Sequence, residues 1–347
     1  MSETIRTPDP DSIAMRAARL FHTIWAASLL VFGNSIAQQP TVPVGVSEAE
    51  SFRFCAYNVK NWLLMDRKYG ERVEIASKPE KEKAKVVEII NSIHPEVLGL
   101  CEIGGEADLL DMQKRLKLAG LDLPHYEVAN GGDPTRMLGL LSKFPIVERN
   151  SQRKLQYLIG EAVFPMQRGI LDVTIEVNPQ FKFRAVGVHL KSMRDVPEAD
   201  QALMRRNEAH LLRKHLDGIL TADPKTKVVA YGDFNERRHE PPIAEIIGDR
   251  AQPELLMSDV LLRDINGEVW THFWDTADEY GRLDYFFISP EMKRYAGWRK
   301  SFIYSSKDFD EASDHRPIVL NINLEPYNSK DDEAPEPPTA STPTKPE

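Results

Sequence analysis

Eight residues able to act as acid, base or ligand stand at the edges of short apolar runs: Asn58, Glu102, His189, Asp233, Asn235, Asp284, Asp314 and His315. The clearest case is 228–235, VVAYGDFN, in which apolar residues run straight into Gly232, Asp233, Phe234 and Asn235. Such a run reads as a buried strand, and the carboxyl end of a strand in an open α/β sheet is where ligands collect. Two apart on an extended chain, Asp233 and Asn235 project to one side and bring a potential base and an amide donor to one point. Each residue alone has an ordinary explanation: carboxylates close strands as solvated turns, and strand histidines are usually satisfied core residues. Eight of them in one domain predict a shared site.

The elements that must position these residues follow from periodicity. Period-two runs predict strands over 52–59, 97–101, 138–141, 169–177, 182–190, 283–288 and 317–322, with Glu102 directly after the second. Helices are expected over 79–93, with Val86, Ile89, Ile90 and Ile93 on one face, over 106–118 with Gly120 as its carboxyl cap, and over 198–220. Two strand-rich halves with helices outside them predict two packed sheets flanked by helices. The segments 63–78 and 130–136 read as loops.

In chain order, the motifs YNVKNW, LCEI, VGVHLKS, YGDFN, GRLDYFFIS and SDHRP resemble the endonuclease/exonuclease/phosphatase superfamily, which includes deoxyribonuclease I, abasic-site endonucleases and neutral sphingomyelinases. The resemblance covers nearly all of 50–324. It implies an α/β four-layered sandwich, two packed mixed β-sheets flanked by helices, and metal-assisted hydrolysis of a phosphate ester. By the resemblance, Glu102 is the main ligand of Mg²⁺ (or Mn²⁺), Asn58 steadies the metal or its waters, and Asp314 binds metal or water. Asp233 orients or deprotonates the attacking water, Asn235 donates to a phosphoryl oxygen, and His189 and His315 contact the phosphate. Asp284 is expected to accept a hydrogen bond from His315, fixing its tautomer and favouring the imidazolium. Arg168 and Lys191 are added as a phosphate-binding pair on the chemistry of their side chains. Lys60 stands where abasic-site endonucleases carry an acid, so a second carboxylate at the metal is not expected. The Asn-Val-Lys-Asn-Trp run looks closer to exported bacterial hydrolases of the superfamily.

Charge narrows the substrate question. The 347 residues carry a formal net charge of −9, so a polyanion binder working by charge alone is excluded, and a bound cation must do much of the attracting. Arg16 and Arg19, the apolar stretch 20–32 and the small residues Ser35 and Ala37 read as a signal peptide over 1–37, with a start at Met15 as the alternative. A linker over 38–48, one catalytic domain over 49–325 and a disordered Pro-rich acidic tail over 326–347 complete the expected organisation. Cys55 and Cys101 lie in apolar runs and read as buried hydrophobes, although a single bridge between them is open. The expected protein is a secreted or periplasmic monomeric phosphodiesterase acting on a phosphate-ester substrate, DNA or RNA first, with no stable membrane anchor. The same site acting on a phospholipid or sugar phosphate, and a non-catalytic extracellular binding protein on the same fold, are the alternatives.

Overall fold

Alternating apolar residues organise the chain into two six-stranded sheets in a computed structural model that describes residues 50–327. The expected signal peptide, the alternative start, the linker and nearly all of the tail lie outside the described residues. The first sheet has the order Phe302–Ile303, Ile318–Asn323, Ser51–Trp62, Val97–Ile103, Met137–Ser142, His125–Ala129. The second runs Ser258–Asp259, Asp284–Ile288, Val228–Asp233, Phe181–His189, Leu171–Asn178, Ile146–Arg149. Each sheet contains one parallel pair among antiparallel ones, so both are mixed.

The two sheets face each other across an aromatic core. Phe52, Phe54 and Ala56 project from the first sheet against Phe183, Tyr231 and Phe286 of the second, with Phe54 and Tyr231 rings 4.8 Å apart. The opposite faces are covered by helices. Val86, Ile89, Ile90 and Ile93 of helix Glu80–Ile93, with Leu109, Met112 and Leu116 of helix Glu106–Leu118, bury one side. Ala209, Leu212 and Leu216 of helix Gln201–Ala222, with Ile243 and Ile246 of Pro241–Ile247, bury the other. The result is the expected four-layered α/β sandwich, and all described residues belong to one compact unit.

Local chemistry sets the element ends. Gly120, at φ +97, follows helix Glu106–Leu118, and the bonds Leu121 N–H to Leu116 O (2.9 Å) and Gly120 N–H to Lys117 O (3.1 Å) form a Schellman closure. Asp200 caps the long helix by accepting from Leu203 N at 2.7 Å, which starts it three residues later than expected. Within 63–78, the strands Met65–Tyr69 and Arg72–Ala76 form a hairpin where a loop was expected. Its residues are exposed on both faces, so no inside–outside alternation marks it in the sequence.

Cys55 and Cys101 are both free and buried, but they cannot bridge. Cys55 faces the helices and Cys101 faces the space between the sheets, on neighbouring strands. Among the described residues, no helix is long and apolar enough to cross a membrane.

Candidate active site

Strand direction brings the expected residues to one end of the sandwich. Phe181–His189 and Val228–Asp233 run parallel and Asp284–Ile288 runs against them, which places His189, Asp233 and Asp284 side by side in register. In the facing sheet, Ser51–Trp62 and Val97–Ile103 are parallel and Ile318–Asn323 is antiparallel. Asn58, Glu102 and the pair Asp314 and His315 therefore meet at that same end. Period two does the rest. Asn58 continues the inward row of Phe52, Phe54 and Ala56; Asp233 continues Val229 and Tyr231; Asp284 begins the row of Phe286 and Ile288. The apolar stripe between the sheets becomes polar at its rim.

Asp233 is the centre. Its Oδ2 accepts from Asn58 Nδ2 at 3.0 Å and lies 3.5 Å from His189 Nε2 and 3.6 Å from His315 Nε2. The carboxylate is 1% exposed. His315 is held from behind by Asp284, with Nδ1 to Oδ2 at 2.8 Å. Thr271 Oγ1 accepts the backbone N–H groups of Leu283 and Asp284, each at 3.0 Å, so Asp284 is itself fixed. Ser313 Oγ donates to Asn58 O at 2.7 Å and accepts from His315 N at 3.1 Å, which ties the turn that carries His315 to the neighbouring strand Ser51–Trp62 of the same sheet.

These contacts set opposite charge preferences. Burial pushes the Asp233 carboxyl well above the usual carboxylate range, which suits a base near neutral pH. Burial opposes the charge on His315, but Asp284 and Asp233 outweigh it and hold the imidazolium well above an ordinary histidine. His189 goes the other way, because burial and the nearby Arg168 charge push it far down and keep it neutral. Burial also works against the Asp314 charge, but His315 and Lys60 keep its carboxyl below the usual range; Lys60 Nζ is 3.7 Å away.

Backbone conformation is specialised here too. Lys60, Asn61, Glu102 and Asn235 all have positive φ, at 47, 58, 67 and 49°, in the left-handed region that non-glycine residues rarely occupy. The turn at Glu102 swings its carboxylate out of the strand row, so Oε2 accepts Asn61 N–H at 2.8 Å. Oε1 is left 3.5 Å from Asn58 Nδ2 and 4.0 Å from His189 Nε2.

Among the described residues, two groupings could hold a divalent cation. Asp233, Asp284 and His315 offer ligand atoms within 4.8 Å of one another. Both Asp284 Oδ2 and His315 Nδ1 are already committed to each other, however. Glu102 Oε1 is partly solvated and takes only a long 3.5 Å bond from the Asn58 amide, a donor set that fits a hard cation keeping most of its waters.

The remaining expectations divide. Asn235 reaches the site, its N–H donating to Asp233 Oδ1 at 2.9 Å, while its side-chain amide donates to Leu190 O at 3.0 Å. Lys191 Nζ turns to the carbonyls of Ser192 and Arg194, at 3.0 Å each. Arg168 pairs with Asp133 at 3.5 Å. His272 was not anticipated. Its ring lies 4.6 Å from that of His315, the two residues form a β-bridge, and burial with the His315 charge pushes its imidazole down to about 4. His272 belongs to a strand of three residues in an irregular region, so no periodicity points to it.

The family model described as Endonuclease/Exonuclease/phosphatase family matches residues 73–315. No curated protein sequence matches. Among solved structures, the human nocturnin catalytic domain with bound sulfate anion is similar at a TM-score of 0.54 and 18% identity, over 78% of this chain and 94% of that one. An endonuclease/exonuclease/phosphatase from Bacteroides vulgatus is similar at 0.53 and 16%, over 79% and 99%. Sphingomyelinase C from Streptomyces griseocarneus is similar at 0.51 and 15%, over 79% and 100%. These likenesses share the four-layered fold.

Proposed function

Since the chain belongs to the Endonuclease/Exonuclease/phosphatase family, we propose that its strand-end cluster hydrolyses the phosphodiester bonds of nucleic acid with Mg²⁺ or Mn²⁺ bound, in a monomeric enzyme acting outside the cytoplasm. Phosphoester hydrolysis is what the family membership supports; the diester, the nucleic acid, the metal and the location are our reading. The observation that carries it is Asp233, a buried carboxylate with an amide and two imidazoles within 3.6 Å and a second carboxylate behind one of them.

In this reading a water attacks phosphorus, its proton passes to Asp233, and the bond to the leaving oxygen breaks, that oxygen finally regaining the proton. The Asn58 amide orients Asp233, and Asn235 keeps its backbone N–H on the other carboxylate oxygen. His315, charged because Asp284 stands behind it, faces the negative charge that builds on the phosphoryl oxygens. Neutral His189 turns its Nε2 in the same direction. Glu102 would be the principal ligand of a divalent cation, with Asn58 and Asp314 supporting it. A divalent cation bound there would neutralise phosphoryl charge and make its water more acidic.

Nucleic acid is favoured by the hairpin His272–Trp274/Glu279–Gly281. Its first residue bridges to His315, and it exposes Trp274 (53%), an aromatic plane on which a base can stack, while Tyr280 is stacked on Phe273 at 4.5 Å. Incubating the full chain with Mg²⁺ and DNA, RNA, sphingomyelin and phosphomonoesters tests the reading. Cleavage of DNA or RNA is expected, and turnover of sphingomyelin or monoesters alone would contradict it.

A further inference from the structure

Beside the cluster lies a cavity of about 350 Å³ whose polar end is formed by Gln167, Arg168, Lys191 and Ser192. None of Asn58, Glu102, Asp233 or His315 lines it. Its remaining wall is apolar, from Phe164, Val196 and Met204, with Glu198 at the edge.

The two cations in it are unusually placed. Arg168 is 8% exposed, its Nε is buried with no hydrogen-bond partner, and its ion pair with Asp133 is long at 3.5 Å. Lys191 is 6% exposed and its ammonium is held by Ser192 and Arg194, which are neutral acceptors at the contacting atoms. The buried Glu208 charge acts on both cations, but its oxygens accept backbone N–H groups, so Arg168 Nε keeps no partner, and a buried donor without a partner calls for a ligand. The cavity is also built rather than incidental. Glu208, fully buried on the long helix, accepts Gln167 N–H at 2.9 Å and Lys191 N–H at 2.7 Å, so one carboxylate fixes both segments that present the cations.

We propose that this cavity is a second phosphate subsite, distinct from the point of cleavage, that takes the phosphate neighbouring the scissile one. It rests on the phosphodiesterase reading and deepens it. Lys191 is two residues beyond His189, at most about 7 Å of chain. The scissile phosphate and its neighbour are one nucleotide apart, a separation within that reach. The guanidinium fork of Arg168 supplies directed donors, Lys191 supplies charge, and the apolar wall accommodates the attached sugar. Two sources present this chemistry, the next diester of an oligonucleotide or a terminal monoester. Arg168 and Lys191 are thereby assigned away from the scissile phosphate.

The test compares kcat/KM for three substrates with Mg²⁺: the dinucleoside monophosphate TpT, the trimer TpTpT and the 5′-phosphorylated dimer pTpT. The parent chain should prefer a two-phosphate substrate, TpTpT if a diester is read and pTpT if a monoester is. Arg168→Gln should cut that preference at least tenfold, and Arg168→Lys, which keeps charge without the fork, should fall between. Equal losses on all three substrates, or no preference in the parent, would overturn the proposal. Calorimetry with inorganic pyrophosphate on the folded parent and Arg168→Gln chains decides independently of turnover. At least tenfold weaker binding supports the subsite, and unchanged binding refutes it. If the parent cleaves none of the three substrates, the phosphodiesterase reading fails, and the calorimetry still decides the subsite.

Discussion

Asp284 Oδ2 lies 2.8 Å from His315 Nδ1, although 31 residues separate them in the chain. The antiparallel course of Asp284–Ile288 and the turn before Ile318–Asn323 bring them together, and Thr271 and Ser313 fix each from the side. The pair is therefore a built contact, and its first consequence is a pH profile. His315 keeps its proton until pH rises through its raised pKa, so the imidazolium persists above the ordinary histidine value of about 6.5. Removing the Asp284 charge lowers that pKa. Asp284→Asn should reduce activity and move the alkaline limb of the rate profile to lower pH, while the double variant with His315→Ala should be no worse than His315→Ala alone. An Asp284→Asn profile that superimposes on the parent after scaling for folded fraction would reduce Asp284 to a strand-end residue.

The acid limb reports Asp233. Because burial raises its pKa, the base form is lost as pH falls through a value above the ordinary carboxylate value of about 4. Asp233→Asn should leave metal binding largely intact and lower kcat by roughly 10² to 10⁴. Glu102→Gln should instead weaken binding of Mg²⁺ itself. Calorimetry with Mg²⁺ on both variants separates the roles, and a weaker Mg²⁺ affinity in Asp233→Asn than in Glu102→Gln would exchange them.

How much of this was legible in the sequence depends on what placed each residue. Asn58, Asp233 and Asp284 continue or begin inward rows on their strands, and period two reads directly from sequence. Glu102 was legible as a strand end, but its left-handed φ, which swings the carboxylate toward Asn61, is a tertiary outcome. His272 reaches the site through a backbone bridge to His315 and Thr271 through its hydroxyl, which accepts from Asp284 N–H, both from an irregular stretch, so nothing local marks them. For Arg168 and Lys191 the residue type was legible and the direction of the side chain was not. The hairpins at 65–76 and 272–281 escaped notice because they are too short or too exposed to alternate.

Packing beneath the site makes a stability prediction. The Tyr231 ring fills space left by two glycines: a Cβ at Gly99 would overlap the ring, and one at Gly187 would lie 2.6 Å from its hydroxyl oxygen. Gly99→Ala should cost about 1–3 kcal/mol by overpacking, seen as a lower Tm. The Tyr231 hydroxyl is buried without a partner, so Tyr231→Phe should leave stability unchanged or raise it. A loss above about 1 kcal/mol in Tyr231→Phe would reveal a partner for the hydroxyl.

Export is tested by mass spectrometry of the protein made with its own leader. The mature chain should begin at or near Gln38, behind the small residues Ser35 and Ala37. An intact amino terminus recovered with membranes would show an anchor instead.

The most direct test of the central claim is nucleic-acid hydrolysis by the full chain, measured in excess chelator and again after Mg²⁺ or Mn²⁺ is restored. Glu102 presents one partly solvated carboxylate oxygen, held only by a long bond from Asn58, and a chain of net charge −9 needs a cation to organise an anionic substrate. Hydrolysis should vanish in chelator and return with either ion. Full activity in chelator would contradict the account.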